Sequence, residues 1–446
     1  MKERRSKEEL KRLALEAIDK RREDILALGD DIYSEPELGY KEFKTAKKLT
    51  RVFSELGIPF DEGIAITGVK GKLKGRSDAA TVGVMAELDS VVSPQHPNAD
   101  PQTGAAHCCG HNAMMAALAG VAYALTDTDI LEDLDGDVAL IAVPAEEFVE
   151  LGYRKTLIEE GKIHFMSGKQ EFIRLGVFDD IDVIVMQHTF GGGNEENPLK
   201  AMAGESWNGF LGQEVTYIGK EAHAGMAPHS GINALAAAQV GLFAINLQRE
   251  TFQEKDFVRV HPIITKGGDL VNVIPGEVKI ETQIRASTLP AILETAEKVS
   301  RSWKAGADAL GAKVIIDTLP GYLPVRSNEL LVDLTYKNMV ELFGEEYVLK
   351  DSGHETGSSD IGDVGAILPA IQFRVGGSNN KFHASDFRLL DRDLAYLGAA
   401  KLLVMDVIDL LYEGAEAAKK VVEEFEPLYT KEEYLSEWGG IGERFK

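Results

Sequence analysis

Four segments of the chain run through apolar residues and then stop at groups that can ionise or turn. Thr81–Ser90 (TVGVMAELDS) stops at Glu87 and Asp89, and Asp137–Glu147 (DVALIAVPAEE) stops at Glu146 and Glu147. Ile181–His188 (IDVIVMQH) stops at His188, and Leu368–Gly377 (LPAIQFRVGG) stops near Gly376. Short apolar runs of this kind predict strands buried on both faces. Helical patterns separate the first three, for example Ala113–Leu125 (AMMAALAGVAYAL). Strands alternating with helices predict an α/β fold, with a mostly parallel sheet flanked by helices. Ligands of such sheets sit beyond the carboxyl ends of the strands, and here the acids and His188 collect at those ends.

The pattern changes in the middle of the chain. Phe210–His223 (FLGQEVTYIGKEAH) alternates as a strand does, and Gly231–Gln248 (GINALAAAQVGLFAINLQ) follows as a helix. Two or three further strands come next, with turns at Lys266–Asp269 (KGGD) and Ile274–Glu277 (IPGE). A long helix from Pro290 to about Leu310 and a strand, Ala312–Pro320 (AKVIIDTLP), close the region. This predicts a compact α+β unit over 208–319, inserted into a first domain made of 1–207 and 320–446. At the N-terminus, Leu10, Leu13, Ala17, Ile18, Ile25 and Leu28 recur near helical spacing, which predicts an amphipathic surface helix.

Bulk composition narrows the class. With 446 residues the chain is too long for one ordinary core, and 44% hydrophobic with 27% charged residues is typical of a soluble globular protein. No apolar run reaches the roughly 18–20 residues of a spanning helix, and the charged N-terminus lacks the apolar core of a signal peptide. Cytoplasmic residence is the expectation. The formal net charge is −24, and the lysines and arginines are spread among acids, so neither nucleic acid nor a membrane is expected as a partner. The acidity suits cationic substrates or metal ions. The only two cysteines, Cys108 and Cys109, are adjacent, which excludes a structural disulfide framework.

Those cysteines sit in His107–Asn112 (HCCGHN). A redox pair normally has the Cys-x-x-Cys spacing, which is absent. A packed loop of small thiols and a catalytic cysteine remain open readings. Cys109-x-His111 can also supply a thiolate and an imidazole to one or two metals, with Gly110 permitting a tight turn. The paired carboxylates Glu146 and Glu147 close a buried strand, so one can bind metal while the other faces a water. Metal-bound water has a lowered pKa, and a nearby glutamate can take its proton. His354 reads as a pocket residue. His96 and His164 read as surface, and His261 as packed on a strand of the inserted unit. Arg374 reads as a partner for a substrate carboxylate or for an acid, and Trp207 as packing at the domain junction.

Order and context then give a resemblance. Ser34–Ala46 (SEPELGYKEFKTA), Ala86–Val91 (AELDSV), HCCGH, Pro144–Glu147 (PAEE), Gly219–Leu235 (GKEAHAGMAPHSGINAL), Gly267–Arg285 (GGDLVNVIPGEVKIETQIR) and Lys381–Phe387 (KFHASDF) fall in one sequence. Together they resemble the M-twenty peptidases, the dinuclear-metal aminoacylase and carboxypeptidase G family. The likeness is narrowest to the subgroup of indole-acetyl-amino-acid and aminobenzoyl-glutamate amidohydrolases, and Gly357–Asp363 (GSSDIGD) leans toward the latter branch.

The resemblance implies two divalent metal ions, zinc or manganese with cobalt as a further option, held by Cys109, His111, Glu147, His188 and His383. Glu146 matches the general base and Asp89 the aspartate that orients a ligand. Glu87 stands where many relatives carry a ligand histidine. The inserted unit 208–319 matches the family's lid or dimerisation domain, and 1–207 with 320–446 its catalytic domain. His223 matches the lid histidine that reaches the neighbouring subunit's site, so a homodimer through the lid is implied. Asn272 and Arg285 match lid residues near the substrate's carbonyl and carboxylate. The implied activity is hydrolysis of the amide bond of a small N-acyl (aroyl or aminoacyl) amino acid or dipeptide. Hydrolytic deamination of an aromatic amine is the rival reaction, and an inactive metal-binding scaffold the rival class. Two departures bear on substrate preference. Asn112 stands where many relatives have aspartate, and Lys162–Gly176 (KIHFMSGKQEFIRLG) adds a helix between Glu147 and His188.

Overall fold

The computed structural model describes residues 4–445. The N-terminal amphipathic pattern forms two helices, Lys7–Lys20 and Arg22–Ser34, parted at Arg21. Ser6 caps the first by accepting the Glu9 N–H, which satisfies one of the donors left open at a helix start. Leu10, Ala17, Ile18, Ile25 and Leu28 are buried, so the apolar stripe faces a core and the charged face stays wet.

That core is organised on the helix His111–Thr126, in which every residue from His111 to Leu125 is buried. A helix apolar all round has to be enclosed on every side. Its alanines and Gly120 permit close packing: a Cβ on Gly120 would lie 2.6 Å from the Cβ of Ala400, on the helix Ala399–Leu411.

The four apolar runs form strands Thr81–Glu87, Asp137–Val143, Val183–Thr189 and Ala370–Val375, almost wholly buried. They lie side by side in a nine-stranded sheet, and each adjacent pair among them runs parallel. Antiparallel strands extend the sheet, Gly68–Leu73 beside Asp137–Val143 and Ala201–Trp207 beside Ala370–Val375. Parallel direction brings the carboxyl ends to one edge, with Glu87 opposite Val143 and His188 opposite Arg374 in register.

The chain divides into two compact units. The first takes the chain up to Glu205, then Arg326–Gly353 and Val364–Leu428; the second takes Ser206–Val325, His354–Asp363 and the chain from Tyr429 on. The second is a four-stranded antiparallel sheet, ordered Arg259–Lys266, Glu277–Ala286, Gly209–Ile218, Lys313–Pro320, with the helices Ala234–Gln248 and Leu289–Leu310. This division departs from the expected boundary, which kept all of 320–446 with the catalytic domain. The reason lies in buried aromatics of the C-terminal segment. Tyr434 and Trp438 are enclosed, and Tyr434 Oη donates to Asp363 Oδ1 at 2.7 Å within the second unit.

Two histidines depart from their sequence readings. His96 is buried rather than on the surface, its ring edge-on to Tyr33 and its Nε2 3.2 Å from the Phe387 carbonyl. His261, expected to be packed, is exposed, because its strand Arg259–Lys266 is the edge of the second sheet. His164 is exposed, and Arg374 pairs with Glu205. Among the described residues no helix is long and apolar enough to cross a membrane.

Candidate metal centre

Gly110 sets the geometry of the cysteine–histidine motif. Its φ of 90° is open to glycine, and a Cβ there would lie 2.2 Å from Thr189 Cγ2. The chain turns at this point and enters the central helix at His111. His111 Nδ1 lies 2.9 Å from the Asp89 carbonyl and 3.2 Å from Asp89 Oδ1, so the ring is oriented by the end of a sheet strand. The other carboxylate oxygen of Asp89 accepts the Glu147 N–H at 2.9 Å. One buried aspartate therefore fixes two chain segments.

Cys109 Sγ lies 3.5 Å from His188 Nε2, and His188 Nδ1 is engaged by the Thr189 carbonyl at 2.9 Å. His383, with φ of 59°, donates its own N–H to the Cys108 carbonyl and brings Nε2 to 3.0 Å from Glu147 Oε1. Two groups result, Cys109–His111–His188 and Cys109–Glu147–His383, each with its ligand atoms within 4.8 Å of one another. They share the Cys109 sulfur. A third group of this kind joins Glu87, His111 and Glu146.

The charges are mutually dependent. Burial alone would raise the Cys109 thiol, but the facing His111 and His188 imidazoles hold it well below the ordinary thiol range. Burial would lower His111, yet Glu87 and the Cys109 sulfur keep it well above its usual value. Hydrogen bonds to Cys109 and Glu147 push His383 up to about 12. A thiolate and several carboxylates in a buried place call for positive charge, supplied by protons or by a cation.

The turn bearing the glutamates is clamped from two sides. Ala145 has φ of 56°, and its N–H donates to Glu42 Oε1 at 2.8 Å. The Arg154 guanidinium, 1% exposed, donates to the Met166 carbonyl at 2.6 Å and to the Glu147 carbonyl. Neither Glu42 nor Arg154 was singled out as a site residue from sequence. Glu42 did lie within the N-terminal motif, whereas Arg154 carried no signal beyond its position after the glutamates.

The second unit holds the remaining expected residues. His223 is exposed, bridges antiparallel to Val273, and accepts the Met226 N–H at Nδ1 from 3.0 Å. The Asn272 carbonyl accepts the Ala224 N–H at 2.9 Å, joining the two loops. Arg285 lies across the Phe210 ring and donates to Gln283 Oε1 at 2.7 Å and Ser358 Oγ at 3.2 Å. His354 is held between Ser206 Oγ at 2.9 Å and Asn208 Oδ1 at 3.0 Å, with its ring against Phe257.

Comparison with known proteins gives the lineage. Residues 83–402 match Peptidase family M20/M25/M40. The chain belongs to this family. Its relatives include the Xaa-Arg dipeptidase of Mus musculus, 29% identical with 96% of this chain and 94% of that protein covered. Among solved structures it is similar to a dinuclear metal binding peptidase of Bacillus subtilis, with TM-score 0.64, 22% identity and coverage of 89% and 99%. It is similar also to an aminobenzoyl-glutamate utilization protein of Klebsiella pneumoniae, with TM-score 0.65, 16% identity and coverage of 89% and 98%. These likenesses support the mixed α/β fold, and the family makes the protein a metallo-amidohydrolase of the M20 class.

The residues of this M20 peptidase fit metal ions. His111 Nε2 and Glu87 Oε2 are buried with no hydrogen-bond partner, although they stand only 3.0 Å apart. Buried polar atoms left without partners need an explanation, and coordination supplies one. Thiolate, imidazole and carboxylate are all donors to divalent metal ions.

Proposed function

We propose that this M20 peptidase hydrolyses the amide bond of a dipeptide or N-acyl amino acid at a two-ion centre. Cys109, His111, Glu147, His188 and His383 would hold the ions, zinc or manganese in the first instance. When bound, such ions lower the pKa of water and polarise the scissile carbonyl. The observation that carries the reading is the sharing of Cys109 Sγ by two ligand groups, one completed by His111 and His188 and the other by Glu147 and His383.

Glu146 acts as the general base. Its carboxylate belongs to the group with Glu87 and His111, at the end of the strand Asp137–Val143. It takes a proton from the attacking water and passes it to the leaving amine nitrogen. Asp89 orients His111 and fixes the Glu147 backbone, so it acts through its neighbours. On the lid, His223 is assigned to the oxyanion of a neighbouring subunit, Asn272 to the substrate carbonyl, Arg285 to its free carboxylate and His354 to the pocket wall.

A homodimer through the lid follows from His223's role. Phe243 and Leu247 on the helix Ala234–Gln248 are 65% and 63% exposed, and Ile263 on the edge strand Arg259–Lys266 is 61% exposed. An uncovered strand edge beside exposed large apolar residues suits pairing with a second copy. Among substrates, dipeptides with a basic C-terminal residue come first, since a charge of −24 favours cationic ligands and the mouse relative is an Xaa-Arg dipeptidase.

The test is a panel of dipeptides, N-acyl and N-aroyl amino acids, assayed with added Zn(II) or Mn(II) for released amino acid. Release of an amino acid, abolished in Glu146→Gln with metal retained, is the expected result. Release of ammonia in its place would favour deamination. Inertness across the panel with both metals would favour the scaffold reading.

A further inference from the structure

Lysine is among the side chains least expected in a place closed to solvent. Lys169, at the start of the helix Gly168–Leu175, is 0% exposed, and its Nζ lies 2.5 Å from Glu87 Oε1. Glu87 is 1% exposed and closes the strand Thr81–Glu87. A lysine is almost never fully buried unless paired, and pairing alone does not offset the desolvation of both charges. An ion pair in this position therefore calls for a local reason.

The surroundings supply it. Glu87 Oε2 stands 3.0 Å from His111 Nε2 without forming a hydrogen bond, and Glu87, His111 and Glu146 bring ligand atoms within 4.8 Å of one another. His111 Nδ1 is engaged by Asp89, so only Nε2 is free to ligate. That nitrogen faces two competing groups. One contains Cys109 and His188, and the other contains Glu87 and Glu146. An ion drawn into the second group would take His111 and also occupy the carboxylate assigned as the base.

We propose that Lys169 is a built-in counter-cation that keeps Glu87 out of the metal set, reserving His111 for Cys109 and His188 and keeping Glu146 from coordinating an ion. Lys169 is thus a positioning residue, supplied by the segment 162–176. The ammonium holds the charge that a dication would otherwise bring to Glu87, and because it is covalently fixed it cannot exchange. The inference rests on the two-ion centre of the preceding section.

The test is metal binding by the full-length protein, freed of metal by a chelator and titrated with Mn(II), which prefers oxygen ligands. Lys169→Met frees a carboxylate and is expected to tighten Mn(II) binding at least tenfold, and Lys169→Met combined with Glu87→Gln to return it to the starting value. Unchanged Mn(II) affinity in folded Lys169→Met, or tightening that persists in the double variant, would overturn the proposal. Should Lys169→Met not fold, Glu87→Gln alone decides the matter. Metal content equal to that of the parent protein supports the exclusion of Glu87, and loss of an ion shows Glu87 to be a ligand already. Cys109→Ser reports separately on the two-ion centre. If that variant keeps both ions, the underlying reading fails whatever the Lys169 variants do.

Discussion

The carboxylate of Glu42 accepts the backbone N–H of Ala145 at 2.8 Å, across 103 positions of the chain. Glu42 is fully buried, and its other oxygen accepts from Thr67 Oγ1 at 2.6 Å. The bond holds a non-glycine residue in the left-handed region, directly before the two glutamates of the proposed site.

Glu42→Ala should therefore loosen the turn. An orphaned buried N–H costs about 1–3 kcal/mol, and kcat should fall more than metal content does. Glu42→Gln keeps an acceptor at Oε1 and should restore most of the activity. Thermal unfolding and steady-state kinetics of both variants check this, and equal behaviour of the Ala and Gln variants would remove Glu42 from the account.

Much of this arrangement could be read from the chain. The strands Thr81–Glu87, Asp137–Val143, Val183–Thr189 and Ala370–Val375 stood out as apolar runs because a sheet covered on both faces admits little else. Glu87, Glu146 and His188 stood out because they ended those runs. What stayed hidden depended on partners far along the chain. Lys169 in SGKQEF reads as a polar helix start, and only the fold brings Glu87, 82 residues away, to its ammonium. His96 lies among polar residues, and is buried by Tyr33 and Phe387. The C-terminal segment is expected in the catalytic domain with the rest of 320–446, but Tyr434 and Trp438 commit it to the second unit.

Asp89 offers a second prediction. Its two oxygens face His111 Nδ1 at 3.2 Å and the Glu147 N–H at 2.9 Å. Asp89→Ala removes both carboxylate contacts, leaving the backbone carbonyl of residue 89 on His111 Nδ1 at 2.9 Å and every proposed ligand in the chain. Metal affinity should drop roughly 10–100-fold, the usual effect of losing a partner that orients a ligand. Metal content after dialysis against a graded chelator series measures it, and retention equal to the parent protein would count against the role.

Stability should depend on pH through Asp406. This carboxyl is buried on the helix Ala399–Leu411, accepting from Thr335 Oγ1 at 2.7 Å and Asn338 Nδ2 at 2.8 Å. Burial, against those two hydrogen bonds, pushes its pKa up to about 7. The folded state then holds the proton more tightly than the unfolded chain, whose aspartates titrate near 3.9. Below that value both states are protonated and the group contributes nothing. Stability is lost as pH rises from about 4 through about 7, by up to a few kcal/mol, and stays low above it. Asp406→Asn removes the titration, since the Thr335 hydroxyl can rotate to accept from the new amide. Denaturant midpoints at pH 5 and pH 8 should converge in this variant, and an unchanged difference would place the pH dependence elsewhere.

Arg285 tests the substrate side of the proposal. Its guanidinium donates to the neutral groups of Gln283 and Ser358, and no carboxylate among the described residues pairs with it. Burial lowers its pKa, so the charge is held where solvent stabilises it poorly. An anion brought by a substrate would relieve that cost, and the guanidinium's planar fork suits a carboxylate. Arg285→Met should raise KM about 10–100-fold for substrates with a free C-terminal carboxylate, in line with loss of a charged hydrogen bond. For the same substrates blocked as C-terminal amides, parent and variant should differ little. If the variant lost equal activity on free and blocked substrates, Arg285 would be supporting the loop of Ser358 rather than reading a carboxylate.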